Sequence, residues 1–161
     1  MSGCCGGETM ATSAMREAIA AEARSWIGTR FVNNGTVKGA GVDCGGLLVM
    51  VYAAVGLDGM KTFYGSLGPH PHDWFLHRKN PDIYATHIGG YADPVDMPQQ
   101  GDFALFTTGR AIAHSAICVE NLRDTLLYSR WVQVLQAVHE VGWNDQFARR
   151  LYGFYRVKGI E

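Results

Sequence analysis

The sequence lacks most of the features that would let bulk chemistry suggest a function. It has no excess of basic charge: 14 Lys and Arg stand against 15 Asp and Glu, for a net charge of -1. That balance gives no electrostatic footprint for nucleic acid. No stretch approaches the roughly 20 apolar residues that span a bilayer. The opening MSGCCGGETM has neither the positive start nor the apolar run of a secretory signal. Action outside the cell is therefore expected to need another means of delivery. The four cysteines, Cys4, Cys5, Cys44 and Cys118, form no regular disulfide framework, and adjacent Cys4 and Cys5 cannot pair without strain. A reducing compartment is the simpler expectation. There is no internal repeat.

What is present fits one domain. The chain has 161 residues, of which 47% are apolar, enough for a proper core. Residues 1–11 read as a flexible tail, and residues 12–161 as the domain. Met15, Ile19, Ala23, Trp26 and Ile27 recur at helical spacing, with Ser13 as a cap and Gly28 as a stop. A glycine-rich loop over 29–42 leads to a second helix, capped by Asp43 and ended by Gly56. Residues 58–98 hold all five prolines and four of the six histidines, and residues 60–98 read as an inserted functional loop. A short helix is expected there over Trp74–Lys79 or Ile83–His87. Beyond Pro98, strands are expected at Phe103–Thr107, His114–Val119, Leu126–Ser129, Val132–Ala137 and Leu151–Val157. Helices followed by strands imply an α+β fold, with an antiparallel sheet packed on the second helix.

Cys44 lies in GVDCGGLLVMVYAAVG, at the start of that helix. Free N–H groups and the helix dipole favour an anion there, which would lower a thiol pKa and steady an oxyanion. Gly45 and Gly46 leave the thiol uncrowded. The plainer reading of Cys44 is a small buried side chain. His114, in HSAICVE, is placed to act as a general base, although a strand-start histidine is also common on surfaces. His139, in LQAVHEVGW, would fix the tautomer of His114 if their strands are neighbours; Asp102 and Glu140 are rival orienting groups. His70, His72, Asp73 and His77 fit no standard zinc spacing, so no metal or cofactor is expected. Trp74 offers a flat face to substrate. Cys118 reads as core, and Cys4 and Cys5 as part of the tail.

DCGGL, PQQGDFALF, HSAICVE and QAVHEVGW, in this order, resemble the NlpC-type cell-wall peptidases over residues 14–157. The resemblance implies a papain-like fold, Cys44 as nucleophile, His114 as base, His139 as orienting residue, and cleavage of peptidoglycan stem peptides. AEARSWIGTRF, VKGAGVDCGGLL, HPHDWFLHR and RRLYGFYRV are similar to the phage-encoded branch of that family. That implies tail-tip proteins as partners, residence in the virion after cytoplasmic synthesis, and action at the periplasmic cell wall. Phe31, Asp43, Gly45 and Trp74 fall at expected substrate-binding positions. Two of these depart from the family pattern: Gly45 stands where serine is frequent, and Phe31 where a tyrosine hydroxyl often assists. Alternative readings are a structural tail-tip piece with a weak or closed site, and an acyltransferase or deamidase using the same Cys–His chemistry.

Overall fold

The computed structural model describes residues 6–62, 88–109 and 111–161. Cys4, Cys5, His70, His72, Asp73, Trp74 and His77 lie outside them, as do both candidate short helices of the insert.

Helix α1 (Gly6–Ser25) begins inside the stretch read as a tail, and Ser13, read as a cap, sits within it with its hydroxyl on Glu17. Its buried stripe is Ile19, Ala20 and Ala23, continued by Trp26. Gly28 turns the chain at φ +92, a backbone conformation open mainly to glycine. Within the glycine-rich loop, β1 (Thr36–Val37) and β2 (Gly41–Val42) pair as a short antiparallel ribbon. Helix α2 (Cys44–Ala54) follows, with Asp43 as its N-cap, and Gly56 at φ +89 just past its end.

The main sheet comprises β3 (Ala92–Val95), β4 (Phe103–Thr108), β5 (Ala111–Asn121), β6 (Ser129–Val134), β7 (Val138–Gly142) and β8 (Leu151–Val157). Its order is β3-β8-β4-β5-β6-β7, and every pairing is antiparallel. Period-two alternation gives it two apolar faces. Phe103, Leu105, Ile117, Val119, Val132 and Val134 share a core with α1 and α2. Ala104, Phe106, Ala116, Cys118, Trp131 and Phe154 form a second core with Phe147 of α3 (Asp145–Arg150). Full burial of each large side chain contributes about 1.5–3 kcal/mol.

Several elements differ from the sequence reading. Leu126–Tyr128 is a 3-10 turn rather than a strand, and none of its residues is buried, so the apolar run has no sheet to join. Strand β5 starts three residues before His114, which therefore lies inside the strand. Within the segment read as irregular, Met60 and Ile88 are core residues. Ala92–Val95 is an edge strand, where Pro94 costs little because one side of an edge makes no ladder bonds.

Candidate active site

Asp43 is where the site begins. Its Oδ1 accepts the Gly46 amide at 2.7 Å, and its Oδ2 accepts the Asn34 amide at 2.8 Å. One buried carboxylate thus caps α2 and ties the preceding loop to it. Gly46 is required for a different reason from the one expected: a Cβ there would collide with the Gly35 carbonyl, so glycine admits the loop rather than the substrate. Together these contacts place Cys44 as the first residue of α2.

Strand β5 meets that helix start at a bulge. Phe106 of β4 pairs with His114 and Thr107 with Ile112, leaving Ala113 as the extra residue. Bulges of this kind bend a strand and re-aim neighbouring groups. The Ala113 carbonyl accepts the Cys44 thiol at 3.7 Å, and the Ser115 hydroxyl donates to the Cys44 carbonyl at 3.1 Å. The residues on either side of His114 therefore both hold Cys44.

Among the described residues no hydrogen bond joins the Cys44 thiol to the imidazole, which has partners of its own. His114 Nε2 lies 2.8 Å from Gln133 Oε1, and the ring packs against Phe106. Gln133 Nε2 lies 3.1 Å from His139 Nε2, and His139 Nδ1 lies 3.2 Å from the Ala137 carbonyl. The expected direct bond between the two histidines is replaced by a chain in which Gln133 stands between them. Because an amide oxygen only accepts, His114 carries its proton on Nε2 and leaves Nδ1 as the basic nitrogen. Gln133 is not among the site residues expected from the sequence. The available signal was alternation in SRWVQV, which puts a polar side chain among buried strand positions beside β5.

The rival orienting groups are engaged elsewhere. Asp102, fully buried, accepts Arg16 at 3.2 Å, Arg156 Nη2 at 2.9 Å and the Gln99 amide at 2.8 Å. Glu140 pairs with Arg24 and Arg130. Phe31 is half-buried, packs on the α1–α2 core, and forms a bridge to Val42. Cys118 is fully buried, as expected. Among the described residues, no group of His, Cys, Asp and Glu is arranged to hold a metal ion. No described helix is long and apolar enough to cross a membrane.

Electrostatics sets the resting protonation state. Burial, reinforced by the Asp43 charge, pushes the Cys44 thiol up to about 12, against the opposing pull of the Gly45, Ser115 and Cys44 amides. Helix-start stabilisation of the thiolate is thus present but outweighed, contrary to the sequence expectation. Burial also lowers the His114 pKa below its ordinary 6.5, and the charges of His139 and Arg150 act in the same direction, while the Gln133 bond opposes them. At neutral pH the pair rests as thiol and neutral imidazole.

A cysteine-headed helix on an antiparallel sheet, with α1 beside it, defines a papain-like α+β protein. The NlpC/P60 family model matches residues 28–150, and the chain belongs to that family. Three solved structures share the fold. One is a lipoprotein-like NLP/P60 protein of Staphylococcus aureus Mu50, with TM-score 0.59, 18% identity, and 89% of this chain covered. This chain spans only 41% of that protein's length. The NlpC/p60 domain of the peptidoglycan hydrolase SagA gives TM-score 0.50 and 19% identity, covering 87% of this chain and 96% of its own. The P60 domain of an antigen from M. avium paratuberculosis gives 0.54 and 17%, with 93% and 97% covered. No curated protein sequence matches the chain.

Proposed function

We propose that the protein is a cysteine peptidase that hydrolyses peptidoglycan stem peptides, with Cys44 as nucleophile and His114 as general base. The observation that carries this reading is the pair of contacts by which Ala113 and Ser115 hold Cys44 on either side of the His114 position. Membership of the NlpC/P60 family and the likeness to a peptidoglycan hydrolase domain support the substrate class.

The proposed chemistry starts from the neutral pair. The Cys44 proton passes to His114 as Sγ attacks the scissile carbonyl, which then becomes a tetrahedral oxyanion. The Cys44 and Gly45 amides, at the open end of α2, are suited to receive that charge. Phe31 carries no hydroxyl, so it adds no donor. His114 protonates the departing amine as the C–N bond breaks and the thioester forms; water then attacks it with His114 again as base, the C–S bond breaks to release the carboxylic acid, and the proton returns to Cys44. Gln133 fixes the imidazole tautomer, and His139 orients Gln133 in turn.

Attachment to a phage or phage-like tail completes the proposal. Tethering raises local substrate concentration and suits an enzyme whose free thiol is poorly ionised. A latent site that awakens on assembly is favoured by the same raised thiol pKa, and is the second reading. Digestion of purified peptidoglycan by the isolated protein and by intact particles, with products read by mass spectrometry, tests these together. New amino termini from isolated protein support the peptidase. Cleavage by particles alone supports latency. Products extended by an added amine point to a transferase, and loss of ammonia without chain cleavage to a deamidase. Absence of the chain from purified particles removes the tail assignment.

A further inference from the structure

A cavity of about 200 Å³ opens on the α3 side of His114. Among its lining residues are His114 and Gln133, the rings of Phe106 and Phe147, and the polar Gln146 and Arg150. Cys44 is not one of them. Ligand pockets for whole small molecules run to about 300–1,000 Å³, so this volume suits part of a ligand, on the scale of one amino-acid residue.

Position assigns the cavity to one side of the reaction. The scissile carbonyl must sit at Cys44, while the departing nitrogen must reach His114 to collect its proton. The residue carrying that nitrogen therefore extends past the imidazole, where the cavity lies. Charge then narrows its chemistry. Arg150 has no carboxylate partner among the described residues, and neither its guanidinium nor the Gln146 amide makes a hydrogen bond there. The segment that presents them is fixed, because the Arg150 carbonyl accepts the Thr107 hydroxyl at 3.4 Å and Asn144 caps α3 through the Phe147 amide at 3.1 Å. A guanidinium with no protein partner and a donor amide, both exposed at the rim of a cavity that Phe106 and Phe147 also line, are matched to a carboxylate on a short aliphatic stem.

We propose that this cavity is the subsite for the released-amine residue of the substrate, and that Arg150 selects residues bearing a free carboxylate. The inference rests on the peptidase reading for its orientation, and its test separates the two. Two peptides with the same scissile bond are compared, one with a free side-chain carboxylate on the residue that supplies the departing nitrogen, the other with the carboxamide. Wild-type protein is expected to favour the carboxylate at least tenfold in kcat/KM. Arg150→Ala should erase that preference, acting far less on the carboxamide, and Arg150→Lys should restore part of it. Equal losses on both peptides, or no preference in the wild type, overturn the proposal. In parallel, Cys44→Ala protein is titrated by NMR with a dipeptide whose first residue bears the free carboxylate, and with its carboxamide. Tighter binding of the carboxylate form, lost in the Cys44→Ala/Arg150→Ala protein, supports the subsite even if neither peptide is cleaved, in which case only the peptidase reading fails. Equal binding of the two forms overturns the subsite.

Discussion

At the scale of single residues, the proposed chemistry depends on two groups, Cys44 and His114, that are both uncharged at rest. A thiol pushed up to about 12 leaves little thiolate at neutral pH, so the free protein should react slowly with iodoacetamide, and faster once substrate or assembly alters the site. Measuring alkylation of Cys44 against pH checks this; an inflection below pH 7 would contradict it. The same shift carries a stability signature. Between the unfolded value near 9 and about 12, the folded state retains a proton that the unfolded chain loses, so stability falls as pH rises through that window. Cys118, also pushed up to about 12 by burial, behaves likewise. Cys44→Ala should lessen the decline by about 1.4 kcal/mol per pH unit in denaturant titrations from pH 9 to 11. Catalysis responds in the acid range instead. As the proposed base, His114 must be neutral, and burial holds its pKa below 6.5, so the acid limb of kcat/KM should fall below pH 6.5.

Elements decide where those residues stand. Asp43 holds both the first turn of α2 and the Asn34 loop, and Asp43→Ala should cost about 0.5–2 kcal/mol from the cap alone. Gly46→Ala forces the helix start away from Gly35 and should cost about 1–3 kcal/mol, with activity falling further than stability because Cys44 moves with it. Urea unfolding together with a turnover assay separates the two effects; an Ala variant with native activity would show that the Gly35 contact does not position the thiol. Much at this scale was legible in the sequence. Asp43 as cap and Gly56 as stop depend on local backbone chemistry, which the sequence states directly. The bulge at Ala113 and the place of Gln133 depend on register between strands. Register is set by packing across the sheet, so a polar residue in SRWVQV could not be matched to His114 by position along the chain. Leu126–Tyr128 shows the converse, an apolar run that propensity favours as strand and that no neighbouring strand receives.

Across the whole molecule, one buried carboxylate ties the chain together. Asp102 joins Arg16 of α1 to Arg156 of β8 at the head of β4, and Arg16 also donates to the Gln100 carbonyl at 2.7 Å. Its role is structural, and the site stands at the far end of the strands it secures. Asp102→Ala strands a buried guanidinium and should cost roughly 3–5 kcal/mol in chemical denaturation. Activity per folded molecule should remain, which separates Asp102 from the orienting role proposed for Gln133. Gln133→Ala, by contrast, should lower kcat with little change in melting temperature.

The central claim is that Cys44 becomes acylated with His114 as its base. Rapid quenching of the protein during turnover of a stem-peptide ester, followed by intact-mass and peptide mass spectrometry, reads it most directly. An acyl group is expected on Cys44 in the wild type, and none on this timescale in His114→Ala. An adduct on Cys118, or product formation at wild-type rate by Cys44→Ala, would contradict it.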